Sequence, residues 1–154
     1  MFSFTPTIIL RHRKENLKKC SLRGLESRND LLFLTYPSSP LPELQNTILL
    51  TLDGPPLSKE DKEYNLFLID GTWRYAAAME KFVHSQIKLI PRSLPGDFRT
   101  AYPRKQSDCL DPERGLASIE ALYLAHHILE KNTEGLLDHY HWKDLFLEKN
   151  ENKI

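Results

Sequence analysis

The chain has 154 residues, the size of one ordinary domain, and is 40% apolar, too much for a disordered chain and enough for a core without staples. Lys+Arg and Asp+Glu both number 21, which excludes a polycation that coats nucleic acid by net charge but leaves room for a local basic face. Two cysteines, Cys20 and Cys109, are too few for a disulfide framework or a thiolate zinc site, so no metal is expected. No apolar run approaches the length of a membrane span, and no membrane partner is expected. The opening MFSFTPTIIL runs straight into Arg11-His12-Arg13-Lys14 without the pattern of a signal peptide, and the cytoplasm is the expected compartment.

Residues 7–10 are a first short apolar run suited to a strand. Residues 11–28 follow as a basic segment, with Arg11, Arg13, Lys14, Lys18, Lys19, Arg23 and Arg28 against Glu15 and Glu26, a local charge of +5. Further strands are predicted at Leu31–Tyr36, 47–52, Asn65–Asp70 and 87–90. Short, nearly continuous apolar runs fit strands buried on both faces of a parallel sheet. Helices are predicted over 72–83, with Thr72 as cap, over 117–131 and over 136–147. The alternation gives an α/β fold, a mostly parallel sheet flanked by helices, in one domain over 1–148 with a frayed tail at 149–154. Residues 92–114 form a long stretch without an obvious element, a length at which loops carry function or are disordered. The glycine patterns of dinucleotide and P-loop sites and the Gly-x-Ser-x-Gly elbow are absent.

Four places can carry chemistry. In Leu66-Phe67-Leu68-Ile69-Asp70-Gly71-Thr72-Trp73 an apolar strand ends on an acid and turns into a helix, and ligands of open α/β sheets bind beyond such strand ends. Trp73, with Ala76 and Ala77 on nearly the same helical face, forms an aromatic plate suited to a purine or a sulfonium-bearing chain. The plainer alternative makes Asp70 a cap and Trp73 a core anchor. Arg99, Arg104 and Lys105 surround Tyr102 in the long loop, a pattern that suits a nucleic-acid strand as well as a solvated surface. Gly115-Leu116-Ala117-Ser118-Ile119-Glu120 opens a helix whose free N–H groups favour an anion, unless Glu120 merely complements the helix dipole. Lys18-Lys19-Cys20-Ser21 can take a phosphate or a carboxylate. The histidines at 126, 127, 139 and 141 read as structural or surface groups, and both cysteines as bystanders.

Asp70-Gly71-Thr72-Trp73 followed by Ser118-Ile119-Glu120-Ala121 resembles the DTW-domain family, as does the opening Ile8-Ile9-Leu10-Arg11-His12-Arg13-Lys14-Glu15. Lys18-Lys19-Cys20-Ser21 and Thr100-Ala101-Tyr102-Pro103 are similar to motifs of the related aminocarboxypropyltransferases that modify small-subunit ribosomal RNA. The ordered set spans roughly residues 7–130. The chain departs from the pattern in lacking an amino-terminal cysteine cluster, in Arg13 after His12, and in Tyr102.

The resemblance implies a SPOUT-like fold knotted at the cofactor site. It implies an enzyme that moves the 3-amino-3-carboxypropyl group of S-adenosylmethionine to N3 of a uridine, in tRNA or else rRNA. Asp70 would be the catalytic residue, as base or proton relay, or would instead bind the cofactor. Ser21, Thr72, Trp73, Ala76, Ser118 and Glu120 would line the cofactor site. Arg11, Lys18, Lys19, Arg99, Arg104 and Lys105 would track RNA phosphates. A SPOUT-type RNA methyltransferase and a non-catalytic RNA-binding module are the alternatives.

Overall fold

Apolar runs with no polar face require cover on both sides, and the fold supplies it. The structure, a computed structural model, describes residues 5–14, 20–71, 73–102 and 116–153, with Trp73 and Arg74 described by their backbone alone. Strands β1 (Thr7–His12), β2 (Leu31–Tyr36), β3 (Thr47–Leu50), β4 (Asn65–Asp70) and β5 (Ile90–Arg92) form one sheet in the order β2-β1-β4-β3-β5. Every neighbouring pair is parallel. The helices are α1 (Trp73–Gln86), α2 (Ser118–Ile128) and α3 (Lys143–Lys149), and a 3-10 turn lies at Lys59–Asp61.

Successive strand residues serve opposite faces. Ile8 and Leu10 of β1, Leu49 of β3 and Phe67 of β4 pack on Met79 and Val83 of α1. Ile9 of β1 and Leu68 of β4 face the other way, onto Ile119 and Leu122 of α2 and Phe146 of α3. Ile48 and Leu66 continue that layer against Ala125 and Leu129. The predicted parallel α/β arrangement is therefore present, as a sheet between two helical layers. Among the described residues no helix is long and apolar enough to cross a membrane.

Leu31–Tyr36 and Asn65–Asp70 form strands with the bounds read from the sequence. Other bounds move. The fifth strand is not 87–90 but Ile90–Arg92, because the Ile87 amide still donates to the Val83 carbonyl and prolongs the helical turn. The third helix begins at Lys143 rather than 136, since Leu136, Asp138 and Tyr140 each donate to the carbonyl three residues back and form tight turns instead. The second stops at Ile128, short of 131, where Glu130 turns to a positive φ of 58°. Asn150, assigned from sequence to the frayed tail, is fully buried and clasps the backbone of Arg99 at both N and O, 2.8 Å each.

Of the adjacent pair on α2, His126 is buried and His127 exposed. His126 Nδ1 lies 2.9 Å from the carbonyl of Asn132 and therefore carries the proton, so Nε2 accepts from Thr7 Oγ1 at 2.8 Å. Burial holds its pKa below the ordinary 6.5. Below that pH the unfolded chain binds a proton that the native state refuses, so stability falls as pH drops through it. Urea unfolding between pH 7.5 and 5 should show a stability loss of up to about 1.4 kcal/mol per pH unit from this group. His126→Gln should be less stable at pH 7.5 but have a shallower slope; equal slopes would refute the assignment.

Candidate functional site

β1 leads the chain toward one edge of the sheet, to β2, and β4 leads it through α1 toward the other, to β5. The carboxyl ends of β1 and β4 thus flank a switch point, the place where open α/β sheets bind ligands. The register sets Arg11 of β1 beside Asp70 of β4 there. Gly71 turns the chain away immediately afterwards; a Cβ at that position would stand 2.8 Å from Met79 Sδ.

Asp70 is 3% exposed and both of its oxygens are engaged. Oδ2 accepts from Arg11 Nε at 3.2 Å and from Cys20 Sγ at 3.3 Å. Oδ1 accepts from Ser118 Oγ, at the start of α2, at 2.7 Å. Ser21 Oγ in turn accepts from the Ile119 amide at 3.1 Å, which ties the loop after β1 to the amino end of α2. Burial, and next the charge of Asp70, pushes the Cys20 thiol up to about 12, so at neutral pH it donates as a thiol and is no nucleophile. The reading of Cys20 as a bystander gives way to a structural role.

Arg11 is the residue whose placement differs most from expectation. It was assigned to RNA phosphates, yet it is buried, with its guanidinium 4.6 Å over the Phe33 ring and 3.5 Å from both Glu26 Oε1 and Cys20 Sγ. A cation fixed in this way serves the site's framework, because moving it to the surface would leave Asp70 without its counter-charge.

Glu120 is fully buried and forms a second hub. Its carboxylate accepts from Thr100 Oγ1 (2.6 Å), the Ala101 amide (2.8 Å), the Ala117 amide (2.8 Å) and Tyr140 Oη (2.9 Å). The bond to Ala117 satisfies the amino end of α2, the dipole-complementing role open to it from sequence. The other three carry it further. They fix the segment 100–102 and the turn at Tyr140 as walls of a cleft of about 380 Å³ lined by Ser21, Arg23, Tyr102, Tyr140, His141 and Trp142, among others.

Asp70 thus bonds Ser118, Ser21 bonds the amide of the next residue, Ile119, and Glu120 lies one residue further along α2. Ala76 is half-buried on the first turns of α1, and Trp73 is the first residue of that helix. Arg99 is half-buried, its guanidinium on the carbonyls of Gly96 and Phe98. Thr72, Lys18, Lys19, Arg104 and Lys105 lie outside the described residues. Sequence reasoning missed Arg11 and Cys20 as partners of Asp70, and the contribution of 140–142 to the cleft. The available signal for the first was a lone Arg closing one apolar strand and a lone Asp closing another. Among the described residues no group of three or more His, Cys, Asp or Glu could hold a metal ion.

Glu120→Gln keeps the shape but turns an amide donor toward groups that already donate. It should cost about 1–3 kcal/mol, read as a drop of several degrees in melting temperature with secondary structure retained; an unchanged melt would show that the hub is dispensable. No protein-family model and no curated protein sequence matches the chain. Among solved structures, it is similar to one titled as the SAM-dependent rRNA:acp-transferase Tsr3 from Vulcanisaeta distributa, at 22% identity. The alignment covers 96% of this chain and 79% of that one with a TM-score of 0.72, and at that identity the likeness is one of fold.

Proposed function

We propose that the protein is an S-adenosylmethionine-dependent transferase that places a 3-amino-3-carboxypropyl group on N3 of a uridine in RNA. Fold alone does not carry function. The observation that carries the reading is the bonding of Asp70 to Ser118 and of Ser21 to the next amide, from segments far apart in sequence, at the switch point of a fold shared with an enzyme so titled. The same reading makes the fold SPOUT-like, with the chain knotted at the cofactor site, and places the protein in the cytoplasm.

The residues present suit the cofactor. Ser21, whose Oγ accepts from the Ile119 amide at the amino end of α2, keeps its hydroxyl proton to donate to the cofactor's carboxylate. Leu52, just past β3 and 95% exposed, is an apolar surface at the ligand edge of the sheet, fit for an adenine. Trp73 and Ala76, on the first turns of the helix that follows Asp70, are assigned to the thioether end, and Thr72, which precedes Trp73 in the sequence, to the cofactor as well. Bound there, S-adenosylmethionine would supply the electrophilic carbon chain, with methylthioadenosine as the leaving group and the N3 proton lost to water. With Asp70 Oδ2 closed by Arg11 and Cys20 and Oδ1 taken by Ser118, the geometry favours Asp70 as the fixed acceptor that orients the site over direct proton abstraction. Glu120 positions the walls. Holding the acceptor in line with the breaking bond supplies much of the rate.

The sequence resemblance points to tRNA and the structural likeness to rRNA, so both are offered in the test. Incubation with S-adenosylmethionine labelled in the aminocarboxypropyl carbons, followed by mass analysis of nucleosides, should yield aminocarboxypropyluridine. A methylated nucleoside would establish the methyltransferase alternative, and RNA binding without cofactor binding the non-catalytic one. Asp70→Asn should lower transfer about 100-fold or more. Lost affinity for the cofactor in calorimetry supports the orienting role, lost turnover at unchanged affinity supports the base, and full activity rejects both.

Arg104 and Lys105 are proposed, with Lys18, Lys19 and Arg99, to contact RNA phosphates. Arg104→Glu with Lys105→Glu should raise the RNA dissociation constant and flatten its dependence on salt by about one unit per lost contact. Filter binding across a salt series checks this; an unchanged slope removes the loop from the interface.

A further inference from the structure

The cleft beside Ser21 has walls that the cofactor does not require. Besides Ser21 it presents five rings, from Tyr102, His139, Tyr140, His141 and Trp142, and the cation of Arg23. His141 and Trp142 stand edge to face at 4.6 Å and 89°, a wall and a floor at right angles. Trp142 is half-buried, so it keeps exposed ring surface while packing on the core cluster around α2 and α3. Tyr140 is held through its hydroxyl by Glu120, and Tyr102 through its amide by Thr100 Oγ1, itself bound to Glu120. The Tyr140 ring and the backbone at Tyr102 are therefore held in place, which lowers the ordering cost of taking up a flat ligand.

We propose that this cleft receives the base of an unpaired pyrimidine nucleotide of the RNA, stacked on Trp142, with Arg23 beside its phosphate. This rests on the reading above and deepens it. Single-stranded bases are recognised by stacking on aromatic side chains, whereas a base inside a duplex keeps its faces covered. The cleft volume of about 380 Å³ belongs with small-molecule sites and not with grooves for a double helix. The rim at 20–24 brings one cation, Arg23, to meet a phosphate. Ser21 lines the cleft and touches the amino end of α2, so a base held there adjoins the cofactor's proposed carboxylate site.

The test uses the full chain, a decamer of uridylate and an abasic strand of equal length, with binding read by fluorescence anisotropy. S-adenosylmethionine affinity is read in parallel by calorimetry. Trp142→Leu, which keeps apolar bulk without a ring, should weaken uridylate binding about 5- to 100-fold and leave the abasic strand unaffected. Trp142→Phe should recover most of the loss, and cofactor affinity should hold in both variants. Equal loss for both strands, no loss, or a fall in cofactor affinity with Trp142→Leu would overturn the proposal, the last by giving the cleft to the cofactor. Selective uridylate binding that depends on Trp142 in a protein without affinity for S-adenosylmethionine would support the base cleft and sink the transferase reading alone.

Discussion

A single carboxylate holds the site together. Asp70 closes β4, its nearest cation Arg11 closes β1, Cys20 comes from the loop between β1 and β2, and Ser118 opens α2. Taking Asp70 and Arg11 out of water is costly, and their attraction offsets that cost only when every remaining lone pair is also met. Here it is met. The second oxygen has Ser118, and Arg11 has Phe33, Glu26 and Cys20 besides Asp70. The gain is geometric rather than energetic: four segments can approach in one arrangement only, and that arrangement brings Ser21 and the amino end of α2 to the carboxyl ends of the central strands.

Glu120 does a related job by different means. No cation is bound to it by the contacts described; four donors, two of them backbone amides, share its charge, and its place in the first turn of α2 adds the helix dipole. A lysine or arginine partner would have brought a long side chain into a layer already filled by Ile119, Leu122 and Phe146. Backbone and hydroxyl donors take no such room, and each belongs to a segment that lines or borders the cleft. One carboxylate thus fixes the strand ends and the other fixes the loops facing them, both through α2.

These two hubs also explain what could be read from the sequence. Strands such as Leu31–Tyr36 and Asn65–Asp70 are bounded by prolines, charges and turns, and their composition alone sets their ends. The strand Ile90–Arg92 contains a proline and owes its place to pairing with Ile48–Leu50, a tertiary contact that no local pattern encodes. The stretch around Leu136 has helical apolar spacing, but Gly135 at φ 77° and Tyr140's bond to Glu120 commit it to turns. Asp70 and Ser118 stood out in the sequence as polar residues at a strand end and a helix start, and Ser21 as part of a basic run; the structure bonds Asp70 to Ser118 and Ser21 to the next amide. Arg11 was misplaced because a basic run reads as a surface, and only the sheet order puts it next to Asp70.

On the proposed function, that displacement bears on how a chain of zero net charge would hold RNA. With Arg11 turned inward, the cations of the 11–28 segment left at the exposed surface among the described residues are Arg13, Lys14 and Arg23. On the proposed function Lys18, Lys19, Arg99, Arg104 and Lys105 would add to these, so the attraction would be local, salt-dependent and confined to one face. Uncharged contacts would supply the rest, and stacking on aromatic rings is one that a single strand offers whatever its charge environment. On that proposal a local basic patch beside an aromatic cleft would favour an exposed nucleotide, because a duplex keeps its base faces covered and would gain the phosphate contacts alone.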